Sequence, residues 1–424
     1  MILLSITFEP CPENDFKEFI ETYYAECKER IPKIEAIAGK WTFEDLIPGM
    51  SDFDTRFICS NDMTVDDWCA MSTAVGEIHL DLCKRFPKWI RILEHLPGIN
   101  LTWDEYMDDF TYYPEYRQWS IYDCSNKTEL ENAKRLFSIK PWCERDEYFH
   151  LKKFITYYSP YNREIDPAIN LGVFENKYPL HSRMMHYFTP PLQSAVSIIL
   201  KRTIRGKLES LRAAKEVFQD PEVTDTIDEI FYALQKHYEV PELYEEPELS
   251  LLENRLFNAL KIIKQRLSES ITLVSNGSRN IDDWKKELSN ISIEPQLIIF
   301  DSSRFCRLMK GRLRFYANAP GYFDSLWLIQ NELKRIGKMF YRTPYKIFWK
   351  LYRGEEVENI DTIIQKLVPD ILVPSEAEAT LEFSRLTPGT WEKGEELQTA
   401  LAIADVFDDF FHGLDKIITR VKEI

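Results

Sequence analysis

The sequence predicts an α+β protein, with a small mixed-sheet core near the N-terminus followed by a mostly α-helical region. Two strand-like segments lie within residues 33–60, and segments of helical periodicity flank them. From about residue 128 onward the spacing of apolar residues is predominantly helical. Glycine is scarce, with 14 in 424 residues, which disfavours glycine-rich nucleotide-binding folds and β-sandwiches.

Helices are predicted on both sides of the two strands. The first covers residues 14–30, and Pro32 follows it as a stop signal. The second covers residues 64–86, where Thr64 and Asp67 form a capping-box pattern at the helix start. The predicted order of elements in the core is therefore helix, strand, strand, helix.

The second predicted strand opens with Ser51-Asp52-Phe53-Asp54. Side chains alternate along a strand, so Asp52 and Asp54 should point the same way. Two carboxylates about 7 Å apart repel each other unless a cation lies between them. Oxygen ligands of this kind suit Mg²⁺, which usually also keeps waters and substrate phosphates. The pattern predicts a Mg²⁺ site, with two solvated aspartates at a strand start as the alternative.

This stretch resembles the nucleotidyltransferase superfamily, the fold of DNA polymerase β and the aminoglycoside adenylyltransferases. The family signature is a strand ending in Gly-Ser, a loop or short helix, and a strand carrying Asp-x-Asp. Here Ile37-Ala38-Gly39-Lys40 and Asp52-Phe53-Asp54 stand in those two places, and twelve residues run from Lys40 to Ser51. Helix, strand, strand, helix is also the order expected for that core.

The resemblance implies transfer of a nucleoside monophosphate from an NTP, with ATP as the expected donor, to a hydroxyl or amine of a small molecule. Asp52 and Asp54 would hold Mg²⁺, while Gly39, Lys40 and Ser51 would contact the nucleotide. Lys40 departs from the family pattern, which has a serine here. A lysine could contact phosphate as a point charge, or it could mark a decayed phosphate pocket.

The family usually takes a third catalytic carboxylate from a later strand, and two residues compete for this role. Asp123 ends an alternating segment, residues 117–123, that is rich in strand-forming residues. Asp104 lies between Thr102 and Glu105, which themselves form a capping-box pattern, so Asp104 could simply begin a helix. We prefer Asp123; its alternative role is that of a turn residue.

A basic run lies on a helix predicted over residues 190–218, which starts with proline. Lys201 and Arg205 are four residues apart and would share one face of this helix. In the family a helical domain often lends a basic residue to the triphosphate, so both are candidates for nucleotide binding. The alternative is a solvated helix face.

Composition predicts the domain organisation and limits the partners. We expect a nucleotidyltransferase-like core at 1–125, a helical domain at 126–240 and a C-terminal helical domain at 250–424, with a proline- and glutamate-rich boundary between the last two. The net charge of −16 argues against broad nucleic-acid or anionic-membrane binding and suits a cationic acceptor such as an aminoglycoside. Eight scattered cysteines and the absence of an apolar run of roughly 20 residues favour a cytoplasmic protein.

Two other functions stay open. An Asp-x-Asp glycosyltransferase would use the same carboxylates for Mn²⁺ and a sugar nucleotide. Such folds normally place several strands and helices before the motif, whereas one clear strand precedes it here. The other is a helical interaction protein with a catalytically inactive nucleotidyltransferase-like core, which Lys40 in place of serine supports.

Overall fold

A computed structural model describes most of the chain, namely residues 13–46, 51–90, 92–158, 188–239, 246–275, 280–291, 295–319, 325–387 and 394–424. Within these ranges the protein has a small four-stranded mixed sheet and is otherwise mainly helical. The predicted α+β class, with a helical region after the sheet, is confirmed.

The sheet consists of β1 (Ile34–Gly39), β2 (Thr55–Cys59), β3 (Asn100–Thr102) and β4 (Ser120–Cys124). Their order across the sheet is β3-β2-β1-β4. β1 is antiparallel to both β2 and β4, and β2 is parallel to β3. The register places Gly39 opposite Thr55, so the end of β1 meets the start of β2.

Helices cover both faces of the sheet. The first face carries α1 (Glu13–Arg30) and α2 (Val65–Arg85), and the second carries α3 (Trp103–Met107) and α4 (Lys127–Ile139). The alternation of strand side chains explains this arrangement. Ile37 and Phe57 pack with α1 and α2, whereas Ala38 and Ile58 pack with α3 and α4.

The middle of the chain forms a hydrophobic core of its own. It is built from α5 (Glu144–Tyr157), α6 (Thr189–Leu200), α7 (Lys207–Val217), α8 (Pro221–Glu239), α9 (Glu246–Ser268) and α10 (Ile281–Ser289). Because α9 packs against α6 and α8, the helices on the two sides of the predicted boundary at 240–250 share one core.

The C-terminal helices belong to the core that starts the chain. They are α11 (Pro295–Cys306), α12 (Met309–Asn318), α13 (Ser325–Arg335), α14 (Thr343–Arg353), α15 (Ile360–Leu367), α16 (Pro374–Leu386) and α17 (Glu395–Glu423). Their apolar side chains share one cluster with those of α1 and α2. Where α12 crosses α2, a Cβ on Gly76 or Gly311 would meet the facing backbone, so the two helices approach closely. Among the described helices, none has the length and apolarity needed to cross a membrane.

The prediction of a single helix over residues 190–218 is wrong, because the chain forms two helices in this range. α6 ends at Leu200, and Lys201 adopts a left-handed conformation with φ of 49°. The connection is held by a tertiary contact, since the Gln193 side chain donates to the carbonyl of buried Ile204 at 3.0 Å. Lys201 and Arg205 are both exposed and do not share a helix face.

Candidate functional site

Asp52 and Asp54 lie in the segment just before β2. The strand itself begins at Thr55, later than the sequence predicts. Burial still alternates along this segment: Ser51, Phe53 and Thr55 are buried, and the two aspartates are half-buried. The alternation that predicts a shared side for the carboxylates is therefore present, although regular strand pairing starts after them.

Lys207, the first residue of α7, belongs to the middle region of the chain and interacts electrostatically with these aspartates. Burial lowers the pKa of Lys207, and the charge of Lys40 adds to this effect. The carboxylates of Asp52, Asp45 and Asp54 act on the same pKa in the opposite direction. The ammonium of Lys207 thus lies within electrostatic range of both members of the Asp-x-Asp motif.

Lys153 on α5 is a second lysine at this place. The pKa of Lys153 is lowered to about 7, mainly by burial and also by the charges of Lys40 and Lys207, while the charge of Glu115 acts in the opposite direction. Its ammonium donates to the Gln193 side chain at 2.7 Å. We refer to Lys40, Lys153 and Lys207 as the lysine cluster, since each acts electrostatically on another.

Trp41 provides a surface for two members of the lysine cluster. The Nζ atoms of Lys40 and Lys207 lie 5.1 Å and 4.7 Å from its ring centroid, within the range of cation–π attraction. The Tyr122 hydroxyl donates to the carbonyl of Trp41. A Cβ at Gly39 would overlap the Tyr122 ring, so close packing explains the glycine at the end of β1.

Asp45 fixes the start of α7 and with it Lys207. One carboxylate oxygen accepts from the Leu208 amide at 2.9 Å. The other accepts from the amide and hydroxyl of Thr42, at 3.1 Å and 2.8 Å. Gly206 lies so close to this carboxylate that a side chain would not fit. A carboxylate at a helix N-terminus is stabilising, so Asp45 ties α7 to the sheet.

Asp54 has an arginine neighbour that links it to a buried glutamate. The Arg56 guanidinium lies 3.9 Å from the Asp54 carboxylate and 3.3 Å from that of Glu115. Burial raises the pKa of Glu115, but the charges of Lys40 and Arg56 outweigh burial and keep that pKa below its ordinary value. Glu115 is therefore ionised near neutral pH and balances part of the basic charge.

One group of candidate metal ligands contains Asp52 and leaves out Asp54. Over the described parts of the chain, Asp52, Glu94 and His95 each place one ligand atom within 4.8 Å of the others. Glu94 is only 4% exposed, and it precedes His95 in the segment between α2 and β3. His95 Nδ1 lies 2.8 Å from the Tyr316 hydroxyl of α12, so a C-terminal helix supports the group.

Neither candidate for the third carboxylate joins this group. Asp123 is exposed on β4, where it pairs with Ile37 of β1. Its carboxylate accepts a hydrogen bond from the backbone amide of the next residue, and its charge acts on the pKa of Tyr24 on α1. Asp104 is exposed in the first turn of α3, where the predicted capping box is formed. Its carboxylate accepts from the Asn61 side chain at 2.8 Å.

Sequence reasoning missed four residues of the site: Glu94, His95, Lys153 and Lys207. Lys207 follows Gly206, and a glycine inside a predicted helix is a signal that a break is possible. Glu94 and His95 lie shortly before the Pro97-Gly98 pair and the strand that follows it, in a connecting segment of the kind where ligand residues often lie. No local sequence pattern distinguishes Lys153, because a solvent-exposed lysine on an amphipathic helix would occur in the same sequence pattern.

No family model matches the chain, and neither the curated proteins nor the solved structures contain a similar one. The chemistry of the site therefore has to follow from its own geometry. That geometry comprises the Asp-x-Asp segment before β2, a glutamate–histidine pair from the segment before β3, and the lysine cluster.

Proposed function

We propose that the protein is a metal-dependent nucleotidyltransferase that moves a nucleoside monophosphate from an NTP to a hydroxyl or amine of a small molecule. The observation that carries this proposal is that two members of the lysine cluster are tied to the segment of Asp52 and Asp54: the Lys40 amide donates a hydrogen bond to the Asp54 carbonyl at 3.2 Å, and the charges of both aspartates act on Lys207. Carboxylates alone would repel a polyphosphate, whereas carboxylates with a divalent cation and nearby lysines attract it. The site combines these features within one part of the molecule.

The side chains fit a divalent cation. Asp52 and Asp54 offer half-buried carboxylates, and Glu94 brings a third carboxylate close to Asp52. Such oxygen ligands suit Mg²⁺, which shares its coordination with substrate phosphates. When bound, the ion would neutralise phosphate charge and make the phosphorus easier to attack. In this proposal Glu94 takes the place that the sequence suggested for Asp123.

The lysine cluster would bind the β- and γ-phosphates of the NTP, which leave as pyrophosphate. Lys40 stands where the resembling family has a serine, and its charge acts on Lys153, Lys207 and Glu115. A lysine binds phosphate as a point charge on a flexible side chain. Three lysines can therefore contact the β- and γ-phosphates without a fixed hydrogen-bond geometry. This arrangement favours a working phosphate site over a decayed one.

The test is a screen of the four NTPs for thermal stabilisation in the presence of Mg²⁺. A ligand at about 100 times its Kd stabilises the native state by about 2.7 kcal/mol. We expect at least one NTP to raise the melting temperature clearly more than AMP or a UDP-sugar, and to release pyrophosphate when a cationic acceptor is added. A UDP-sugar that stabilises more than every NTP would favour the glycosyltransferase, and no shift with any nucleotide would favour the interaction protein.

Lys153 makes ATP affinity depend on pH. Its pKa of about 7 means that the ammonium is increasingly charged as the pH falls from about 8 to 6. We expect ATP to bind more tightly over this interval, because the site gains positive charge. Calorimetric titrations of the wild type and Lys153→Met at each pH would check this. The variant retains the titration of ATP itself, so its slope should be shallower, and equal slopes would contradict the role of Lys153.

The same lysine affects the free protein in the opposite direction. Because the pKa of Lys153 is depressed in the folded state, the unfolded chain binds more protons between about pH 7 and the ordinary lysine pKa. The contribution of Lys153 to the free energy of unfolding therefore rises with pH across this window. Measuring stability and ATP affinity together separates an effect on the fold from an effect on the ligand.

A further inference from the structure

We propose that Asp52, Glu94 and His95 form a metal site that prefers a transition-metal ion such as Mn²⁺ over Mg²⁺. One ligand atom from each lies within 4.8 Å of the other two. Two ligands bonded to one ion at about 2.1 Å are at most about 4.2 Å apart, so small side-chain movements suffice to close the site. The site shares Asp52 and Glu94 with the cation site of the proposed function and goes beyond it by adding His95 and the choice of ion; its test needs the metal ion and no nucleotide.

His95 is held as metal-binding histidines usually are. Its Nδ1 lies 2.8 Å from the hydroxyl of fully buried Tyr316 on α12, and its Nε2 lies 3.8 Å from the Glu94 carboxylate. A ligating histidine almost always engages its second ring nitrogen in a hydrogen bond, which sets the tautomer and the ring orientation. Tyr316 therefore leaves Nε2 directed toward the carboxylates.

The backbone of the ligand segment is also fixed. The buried Arg312 side chain of α12 donates to the carbonyls of Leu96 and Pro97, both at 3.2 Å. His79 on α2 contacts the carbonyl of His95 at 3.2 Å. Side chains from two helices thus hold the segment in place, which is what a site needs if its geometry is to be kept without a ligand.

Charge favours a divalent ion at this place. Two carboxylates with a neutral imidazole carry two negative charges, and Glu94 is 4% exposed. Burying a carboxylate is costly unless a cation compensates it. A divalent ion would balance the charge of Asp52 and Glu94.

The imidazole decides which ion is preferred. Mg²⁺ takes oxygen ligands and demands nearly ideal octahedral geometry. Imidazole suits transition metals, and Mn²⁺ accepts carboxylates as well. A set of two carboxylates and one histidine should therefore select Mn²⁺ over Mg²⁺, whereas a site of aspartates alone would not make this distinction strongly.

The experiment titrates metal-free protein with MnCl₂ and follows free Mn²⁺ by electron paramagnetic resonance, with MgCl₂ as competitor. We expect one ion per chain, and displacement only by a large excess of Mg²⁺. His95→Gln should weaken Mn²⁺ binding at least about tenfold, and Tyr316→Phe by about tenfold or more, as for supporting residues in other metal sites. His412→Gln is the matched control, because His412 pairs with Asp66 on the surface.

Two results would overturn the inference: no Mn²⁺ binding, or binding that His95→Gln and Glu94→Gln leave unchanged. Thermal melts without metal check that each variant is folded. Failure of the proposed transferase is a separate outcome. Mn²⁺ binding that depends on His95, in a protein that no NTP stabilises, would support the metal site while ruling out the transferase.

Discussion

Asp52→Asn and Asp54→Asn are each expected to reduce nucleotidyl transfer by at least about a hundredfold while the protein stays folded. Even residues that only support metal ligands cost about 10–100-fold when changed, so losing a ligand should cost more. The metal-free fold should tolerate either change, because the two half-buried carboxylates share a side and repel each other. Transfer rates with ATP and Mg²⁺, and melting temperatures without ligand, are the measurements.

Asp123→Asn is the matched control for this experiment. Asp123 is an exposed aspartate on β4, outside the group formed by Asp52, Glu94 and His95. Its variant should keep wild-type transfer, and near wild-type rates in Asp52→Asn or Asp54→Asn would end the proposal. The two variants should also differ from each other. Asp52→Asn should lose Mn²⁺ binding, whereas Asp54→Asn should keep it.

Lys207→Met is expected to weaken ATP binding by roughly ten- to a hundredfold and AMP binding much less. A charge-assisted contact contributes about 1.5–3 kcal/mol, and 1.4 kcal/mol corresponds to a factor of ten in affinity. The difference between ATP and AMP isolates the β- and γ-phosphates, which the lysine cluster would contact. Calorimetric titration of both nucleotides with Mg²⁺ measures it.

Lys201→Ala serves as the control for Lys207. Both lysines belong to the basic run that the sequence shows, but Lys201 is exposed at the end of α6, whereas Lys207 lies within electrostatic range of Asp52 and Asp54. Lys201→Ala and Arg205→Ala should leave the affinity for ATP unchanged. If Lys207→Met weakened ATP and AMP equally, or if Lys201→Ala had the larger effect, the lysine cluster would not be the phosphate site.

Local patterns in the sequence determined much of the N-terminal fold. The capping boxes at Thr64–Asp67 and Thr102–Glu105 are present as predicted. Both strands are present as well, and burial alternates around Asp52 and Asp54, although β2 begins only at Thr55, after the aspartates that were expected to open it. Each of these features depends on residues within a few positions of one another, because backbone dihedrals and capping bonds are local. A single sequence contains all the information that such features need.

The tertiary structure alone decided which side chains meet at the site. Asp45 accepts a hydrogen bond from the amide of Leu208, which is 163 positions away in the chain. His95 forms a hydrogen bond with Tyr316, which is 221 positions away. Contacts of this kind bring Lys207 within electrostatic range of Asp52 and Asp54 and leave Lys201 at the surface. The periodicity of apolar residues shows which face of a helix or strand is apolar, but it does not show which other element packs against that face. The Asp-x-Asp motif was therefore visible in the sequence, whereas only the folded chain shows which residues surround it, namely Glu94, His95 and the lysine cluster.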